Sequence, residues 1–192
     1  GFIIASKHQS SHETLSIYLQ VAEPTYILKR SLLNVPLFGT YLSKMGMIPV
    51  DRGRGREALE TMSTGVTDAM EKGRQVIIFP EGTRRYMGDE PRYKFGIQHI
   101  YETVNAPIVP VAINTGAFWP KNRFLHFPGT VAVEFLPPIE QGLSGADFMK
   151  RMIDTIETHS NRLMEEAAHG EKPSPVAIEG LTRLKARNAS AA

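Results

Sequence analysis

Two histidines and a glutamate follow the first apolar stretch of the chain, within the segment Lys7–Glu13. Histidine can accept a hydroxyl proton near neutral pH, and a neighbouring carboxylate can fix its tautomer. His8 and Glu13 can form this pair if the residues between them turn into a helix. Glu13 equally fits a capping box with Ser10, so local sequence leaves both interpretations open. His8 and His12 lie four positions apart without a third ligand nearby, and we expect no metal site.

The segment Phe79-Pro-Glu-Gly-Thr-Arg84 carries the second candidate chemistry. A buried-strand pattern, Val76–Phe79, runs directly into Pro80 and these polar residues. Glu81 can bind a polyol hydroxyl, Gly82 and Thr83 can present backbone N–H groups, and Arg84 can bind phosphate. Such a combination is uncommon in a simple turn. It predicts a binding site.

A basic turn at Gly46–Arg56 is the third candidate. Arg52 follows an apolar run, and its planar guanidinium suits phosphate. No Gly-Lys-Ser/Thr follows, and the third glycine of a dinucleotide fingerprint is missing, so neither nucleotide motif is present. In isolation, the segment is typical of a solvated turn.

Short apolar runs alternate with helix-like stretches, which predicts an α/β fold with a mostly parallel sheet flanked by helices. Pro110 favours an edge position or a bulge for its strand, Ile108–Ile113, to which we assign only a shaping role. An apolar stripe, Phe148 to Ala167, predicts a core-facing helix. The predicted strands are Phe2–Ala5, Thr25–Leu28, Met47–Val50, Gln75–Phe79, Ile108–Ile113 and Thr130–Leu136; the predicted helices are Ser11–Gln20, Ser31–Lys44, Glu57–Lys72, Gly96–Val104 and Ser144–Ala168.

The candidate residues His8, Arg52, Glu81 and Asn114 each follow the end of a predicted strand. In a parallel sheet these ends share one edge, where ligands bind. We therefore expect the four residues to line one cleft. The chain contains no Gly-x-Ser-x-Gly, so a hydrolase nucleophile elbow is absent from the sequence.

Taken in order, these motifs are similar to those of the glycerolipid acyltransferase family, in particular the bacterial 1-acylglycerol-3-phosphate acyltransferases. The resemblance extends over residues 3 to 140. Glu13 stands where the family has aspartate, and its side chain is one methylene longer. The matching segments are His8 with Glu13 for the His-x-x-x-x-Asp block, Gly46–Arg52, the unchanged Phe79–Arg84, Val109–Val111, and Lys94 with Gly96.

The resemblance implies direct transfer of a fatty acyl group from acyl-CoA or acyl carrier protein to the sn-2 hydroxyl of 1-acyl-sn-glycerol-3-phosphate, which gives phosphatidate. His8 would be the general base and Glu13 would orient it. Arg52 and Arg84 would hold the acceptor phosphate, and Glu81, with Gly82 and Thr83, would position the glycerol backbone. No cofactor is expected beyond the acyl thioester co-substrate. The alternatives are the same chemistry on glycerol-3-phosphate or another lysolipid, and a non-catalytic module that binds anionic lipid.

The 192 residues fit one domain, and we expect residues 1–170 to form the catalytic domain. Pro173 and Pro175 predict that residues 171–192 form a flexible basic tail. The chain begins in a strand pattern without an initiator Met, so we expect a missing N-terminal segment. The expected partners are lysophosphatidic acid, an acyl thioester, acyl carrier protein and the cytoplasmic face of a membrane. A net charge of +2 gives no support for a nucleic-acid partner, and the absence of cysteine excludes disulfides and a thiol nucleophile.

Overall fold

The fold contains one six-stranded sheet with helices packed on it, described over residues 1–191 by a computed structural model. The strands are β1 Ile3–Ser6, β2 Pro24–Lys29, β3 Ile48–Val50, β4 Gln75–Ile78, β5 Ile108–Ile113 and β6 Val133–Phe135. The helices are α1 His12–Tyr18, α2 Phe38–Lys44, α3 Arg56–Glu71, α4 Gly96–Thr103, α5 Thr115–Phe118, α6 Gly145–His169 and α7 Pro175–Ala191, and a 3₁₀ helix covers Arg30–Asn34.

The strand order is β3-β2-β4-β1-β5-β6, and every pair is parallel except β5 with β6. The predicted α/β class is therefore confirmed. β1 lies between β4 and β5, and Ile3, Ile4 and Ala5 are fully buried. A strand covered on both faces needs such a continuous apolar run. The carboxyl ends of β1, β3, β4 and β5 face the same edge of the sheet.

Pro110 lies within β5, which is not an edge strand because β1 and β6 flank it. The Pro110 carbonyl accepts a hydrogen bond from Leu136 N, while the next pairing along the strand is the isolated bridge from Ile108 to Ile139. The missing Pro110 N–H thus faces an interruption in the ladder, where proline is tolerated. Of the two expected positions, the irregular one is observed.

The predicted helix Ser31–Lys44 is divided in two, and that prediction was wrong. Pro36 lacks an N–H and disfavours helical backbone at the preceding residue. Val35 accordingly adopts an extended conformation, with ψ of 121°. Leu37 then takes a positive φ of 63° immediately before α2.

The prediction of a flexible tail was also wrong, because residues 175–191 form the helix α7. Pro175 occupies the first helical position, where its missing N–H costs nothing and its fixed φ suits a helix. Ser174 Oγ accepts a hydrogen bond from Ala177 N at 3.2 Å, which caps the helix. Val176, Ala177 and Leu181 pack into one apolar cluster with α6. The apolar stripe of α6 is buried as predicted.

Candidate active site

The side chains of His8 and Glu13 meet at the carboxyl end of β1. Glu13 lies in the first turn of α1, and its Oε1 accepts a hydrogen bond from His8 Nδ1 at 2.8 Å. The same oxygen accepts from the backbone N–H groups of Gln9 at 2.8 Å and Ser10 at 2.7 Å. Glu13 therefore makes both contacts that the sequence left as alternatives. Only one of the two hydrogen bonds of a capping box is formed, because Ser10 Oγ accepts from His12 N and not from Glu13 N.

Thr115 completes the surroundings of the Glu13 carboxylate, and sequence reasoning did not find it. Its Oγ1 donates to Glu13 Oε2 at 2.7 Å, across 102 positions of sequence. Glu13 is 0% exposed, so its carboxylate depends on these donors for hydrogen bonding. The available signal was the position of Thr115, which follows Asn114 at the end of β5.

Phe79 fixes the plane of the His8 ring. The two rings stack with centroids 4.1 Å apart and planes inclined by 15°. The His8 side chain keeps 18% of its surface exposed. With Nδ1 bound to the carboxylate, Nε2 is the nitrogen left free to accept a proton.

Glu81 supports His8 from the next strand, β4. We expected its carboxylate to contact the glycerol backbone, but both oxygens are engaged by protein donors. Oε2 accepts from His8 N at 2.9 Å, and Oε1 pairs with Lys7 Nζ at 3.4 Å. Glu81 is 1% exposed. Burial raises the pKa of the Glu81 carboxyl, and the Lys7 charge opposes that rise.

Lys7 joins this carboxylate to a second one, Glu157 of α6. The Lys7 ammonium donates to Glu157 Oε1, which also accepts from the Tyr93 hydroxyl at 2.8 Å. Burial, reinforced by the charges of Glu157 and Glu81, raises the pKa of Tyr93 well above its ordinary value. Four side chains, Lys7, Glu81, Glu157 and Tyr93, thus form a largely buried polar network that reaches His8 through Glu81. Nothing in the sequence pattern marked Glu157.

Arg52 follows β3 and lies against the Phe79–Arg84 segment, where its guanidinium donates to the Gly82 carbonyl. Burial around the guanidinium lowers the pKa of Arg52, although the residue as a whole is exposed. A pocket of about 490 Å³ opens here, with Arg52, Glu81, Gly82, Thr83 and Lys94 among its lining residues. Its apolar lining includes Ile27, Val50, Leu59, Met62, Ile78 and Ile97.

Arg84 lies apart from this pocket. Its Nη1 donates to Ser11 Oγ at 3.0 Å, close to the start of α1. Gly82, with a φ of +68°, forms the turn that leads from Phe79 to Arg84, and its N–H donates to Phe79 O at 2.9 Å. Arg52 therefore contacts this turn at the Gly82 carbonyl, whereas the Arg84 side chain contacts Ser11. Both remain near residues that hold His8.

Asn114 is at the expected edge, but its amide is committed to the neighbouring chain segment. Its Nδ2 donates to Thr130 O at 3.2 Å, and its Oδ1 accepts from Ala132 N at 2.7 Å. It therefore ties the end of β5 to the segment that leads into β6. Of the four residues, Arg52 and Glu81 line the pocket, and His8 contacts two of its lining residues, Phe79 and Glu81.

The fold and this geometry define a class: an α/β protein in which a histidine, bound to a buried carboxylate, lies beside an apolar pocket that carries cationic residues. The Acyltransferase family profile matches residues 1–114, and the chain belongs to that family.

Three relatives carry related names. The 1-acyl-sn-glycerol-3-phosphate acyltransferase of Pseudomonas aeruginosa is 32% identical over 164 residues, which cover 85% of this chain and 64% of that protein. The protein of the same name from Escherichia coli is 31% identical, and the match covers 85% of this chain and 65% of that protein. The crystal structure of the 1-acyl-sn-glycerophosphate (LPA) acyltransferase PlsC from Thermotoga maritima matches with a TM-score of 0.70 at 25% identity, over 85% of this chain and 66% of that one. This chain spans less than two thirds of the length of both curated relatives.

Proposed function

We propose that the protein transfers a fatty acyl group from a thioester to the sn-2 hydroxyl of 1-acyl-sn-glycerol-3-phosphate, and so makes phosphatidate for phospholipid synthesis. The observation that carries the proposal is the 2.8 Å contact between His8 Nδ1 and the buried Glu13 carboxylate. The names of the relatives support the choice of acceptor. The donor is acyl-CoA or acyl carrier protein, and no other cofactor is required.

His8 acts as the general base in this proposal. Its Nε2 takes the proton of the sn-2 hydroxyl as that oxygen attacks the thioester carbonyl. The new C–O bond forms and the C–S bond breaks, and the leaving thiolate receives the proton from the imidazolium. Glu13 holds the tautomer and stabilises the imidazolium charge. No acyl-enzyme is formed.

Substrate binding is assigned to the arginines and to the pocket beside Phe79. Arg52 and Arg84 supply positive charge for the acceptor phosphate. Gly82 and Thr83 line the pocket beside Arg52, and the apolar lining of the pocket suits an acyl chain. Glu81, which is engaged by His8 N and Lys7, holds the histidine backbone in place. Alignment of two bound substrates supplies much of the acceleration.

The test measures release of free thiol from a long-chain acyl-CoA, with and without 1-acyl-sn-glycerol-3-phosphate. Release should require the acceptor, and His8→Ala should lower its rate by at least about 100-fold while the protein stays folded in a thermal melt. A folded His8→Ala variant that keeps more than about a tenth of the rate contradicts the assignment of the base.

A panel of acceptors separates the alternatives. Lysophosphatidic acid should give a higher kcat/KM than glycerol-3-phosphate or lysophosphatidylcholine. A higher value for either of those would assign the chemistry to another acceptor. Binding of lysophosphatidic acid without any thiol release, from acyl-CoA or from acyl carrier protein, would make the protein a lipid-binding module.

A further inference from the structure

We propose that Arg183 and Arg187 of α7 are positioning residues that clamp the loop after the Phe79–Arg84 segment and thereby hold Arg84 beside His8. The clamped loop is residues 85–90. Its effect on catalysis rests on the proposed function, whereas the clamp itself does not. Both arginines lie beyond residue 114, where the family match ends.

The first observation is a set of hydrogen bonds from α7 to carbonyl groups of the clamped loop. Arg183 Nη1 donates to Met87 O at 3.1 Å. Arg187 Nη1 donates to Gly88 O at 3.2 Å and to Asp89 O at 2.7 Å. Three consecutive carbonyls are thus bound by two guanidinium groups one helical turn apart. Charged donors of this kind make stronger hydrogen bonds than neutral ones.

The second observation is the close approach of α7 to the same loop. A Cβ atom added at Gly88 would lie 2.0 Å from the Gly180 carbonyl oxygen, so the two backbones are in direct contact. Gly88 also has a φ of +76°, which favours glycine. Met87 is buried within the apolar cluster that α6 and α7 form. The loop is therefore packed on α7 as well as hydrogen-bonded to it.

The third observation connects the clamped loop to the active site. The loop closes on itself through Asp89 N, which donates to Tyr86 O at 3.2 Å. At its other end, Arg85 N donates to the His8 carbonyl at 2.8 Å. Arg84 stands next to this point and reaches Ser11. The Arg84 carbonyl accepts from Lys121 Nζ at 2.8 Å, and the chain that follows Arg84 is bound first by His8 and then by α7.

The clamp should affect binding of the acceptor more than the chemical step. Without the α7 donors, the loop keeps its bond to His8 and its packing against Gly180, but it loses the hydrogen bonds to its Met87, Gly88 and Asp89 carbonyls. Arg84 then samples more positions, and because binding of the phosphate must order its side chain again, the affinity for the acceptor falls. His8, Glu13 and Glu81 keep their own hydrogen bonds, so kcat should change little.

The experiment compares Arg183→Met, Arg187→Met and the double variant with Lys185→Met. Lys185 is the matched control, because it lies on the same helix, carries the same charge and is exposed, without a side-chain hydrogen bond among the described residues. A loss of about 1 kcal/mol, the contribution of an ordinary hydrogen bond, already corresponds to roughly a fivefold change. The KM for lysophosphatidic acid should therefore rise about fivefold or more in the double variant, with the KM for acyl-CoA and the kcat little changed. Arg187→Lys should restore part of the loss.

Amide hydrogen exchange without substrate tests the clamp independently of activity. The Asp89 and Arg85 amides should exchange faster in the arginine variants than in the wild type or in Lys185→Met. Unchanged exchange overturns the clamp, and so does an equal rise in KM for Lys185→Met, which would indicate general attraction of the phosphate. If the wild type has no transferase activity, the proposed function fails, and the exchange rates still decide whether α7 clamps the loop.

Discussion

At the scale of single residues, the Glu13 carboxylate determines how His8 is presented. Its two oxygens accept from His8 Nδ1, two backbone N–H groups and Thr115 Oγ1, all at 2.7–2.8 Å. A glutamine offers only one accepting oxygen, and its NH₂ group would face a donor on one side. We expect Glu13→Gln to lower kcat by at least about 100-fold, because the amide cannot stabilise the imidazolium. It should also cost about 1–3 kcal/mol of stability through unsatisfied buried donors.

Ser10→Ala is the control for the structural contribution of this turn. It removes only the hydroxyl that accepts from His12 N, so it should cost about 1 kcal/mol with nearly normal turnover. Turnover and thermal melting of both variants are the measurements. A folded Glu13→Gln protein with nearly normal turnover would reduce Glu13 to a helix cap.

The family's usual aspartate should not improve this site. Shortening the side chain by one methylene withdraws the carboxylate by about 1.5 Å, and contacts of 2.7–2.8 Å to four donors cannot all be kept. The kcat of Glu13→Asp should therefore be lower than that of the wild type. Wild-type activity would show that α1 can move to compensate.

The pairing of His8 with Glu13 could be predicted from sequence, because the two residues are five positions apart and the intervening turn is local. Thr115 and Glu157 could not, since they approach the site from the start of α5 and from α6. Their contacts depend on strand order and helix packing, which a single sequence does not specify. The hydrogen bonds of Glu81 to His8 N and Lys7 could not be predicted for the same reason.

At the scale of elements, the strands were predictable and the proline-containing segments were not. Buried parallel strands leave continuous apolar runs, and each predicted strand overlaps an observed one. Proline, however, ends a helix at Pro36 and begins one at Pro175. The difference depends on whether the preceding residue caps the helix and whether an apolar face finds a partner. In α7, Ser174 caps the first turn and the apolar face packs against α6, so the helix forms.

The buried network of Lys7, Glu81, Glu157 and Tyr93 should tie α6 to β1. Glu157→Gln removes one charge opposite Lys7, which keeps only the 3.4 Å pairing with Glu81. We expect a loss of about 1–3 kcal/mol in the free energy of unfolding, measured with denaturant. Asp154→Asn, an exposed position on the same helix, should change it by less than about 0.5 kcal/mol.

A double-mutant cycle with Lys7→Met checks that the two residues act together. The double variant should lose less stability than the sum of the single variants, with a coupling of about 0.5–3 kcal/mol. Strictly additive losses would show that Lys7 and Glu157 do not stabilise each other. Turnover of the same variants shows how far the network supports His8.

At the scale of the whole molecule, exposed apolar side chains lie in connections at the edge of the sheet that holds His8. Leu37 is 89% exposed in the connection that follows β2, and Phe124 is 98% exposed in the one that follows β5. No helix among residues 1–191 has the length and apolar composition needed to cross a bilayer. The expected membrane association would then place this edge, with the pocket beside Phe79, toward the lipid.

Leu37 offers a test that separates lipid contact from folding. A leucine at a φ of 63° costs about 1–2 kcal/mol in backbone strain, so Leu37→Gly should relieve strain and offset the greater freedom of the unfolded chain. The melting temperature of Leu37→Gly should be unchanged or higher.

The double variant Leu37→Gly with Phe124→Ser should bind anionic phospholipid vesicles more weakly, by roughly tenfold or more in a sedimentation assay, because each large apolar side chain contributes about 1.5–3 kcal/mol when fully buried. Leu143→Ser, which is 36% exposed and follows β6 at the opposite edge of the sheet, is the control and should bind normally. Equal binding by all variants, or equal weakening by Leu143→Ser, would contradict contact of the His8 edge with lipid.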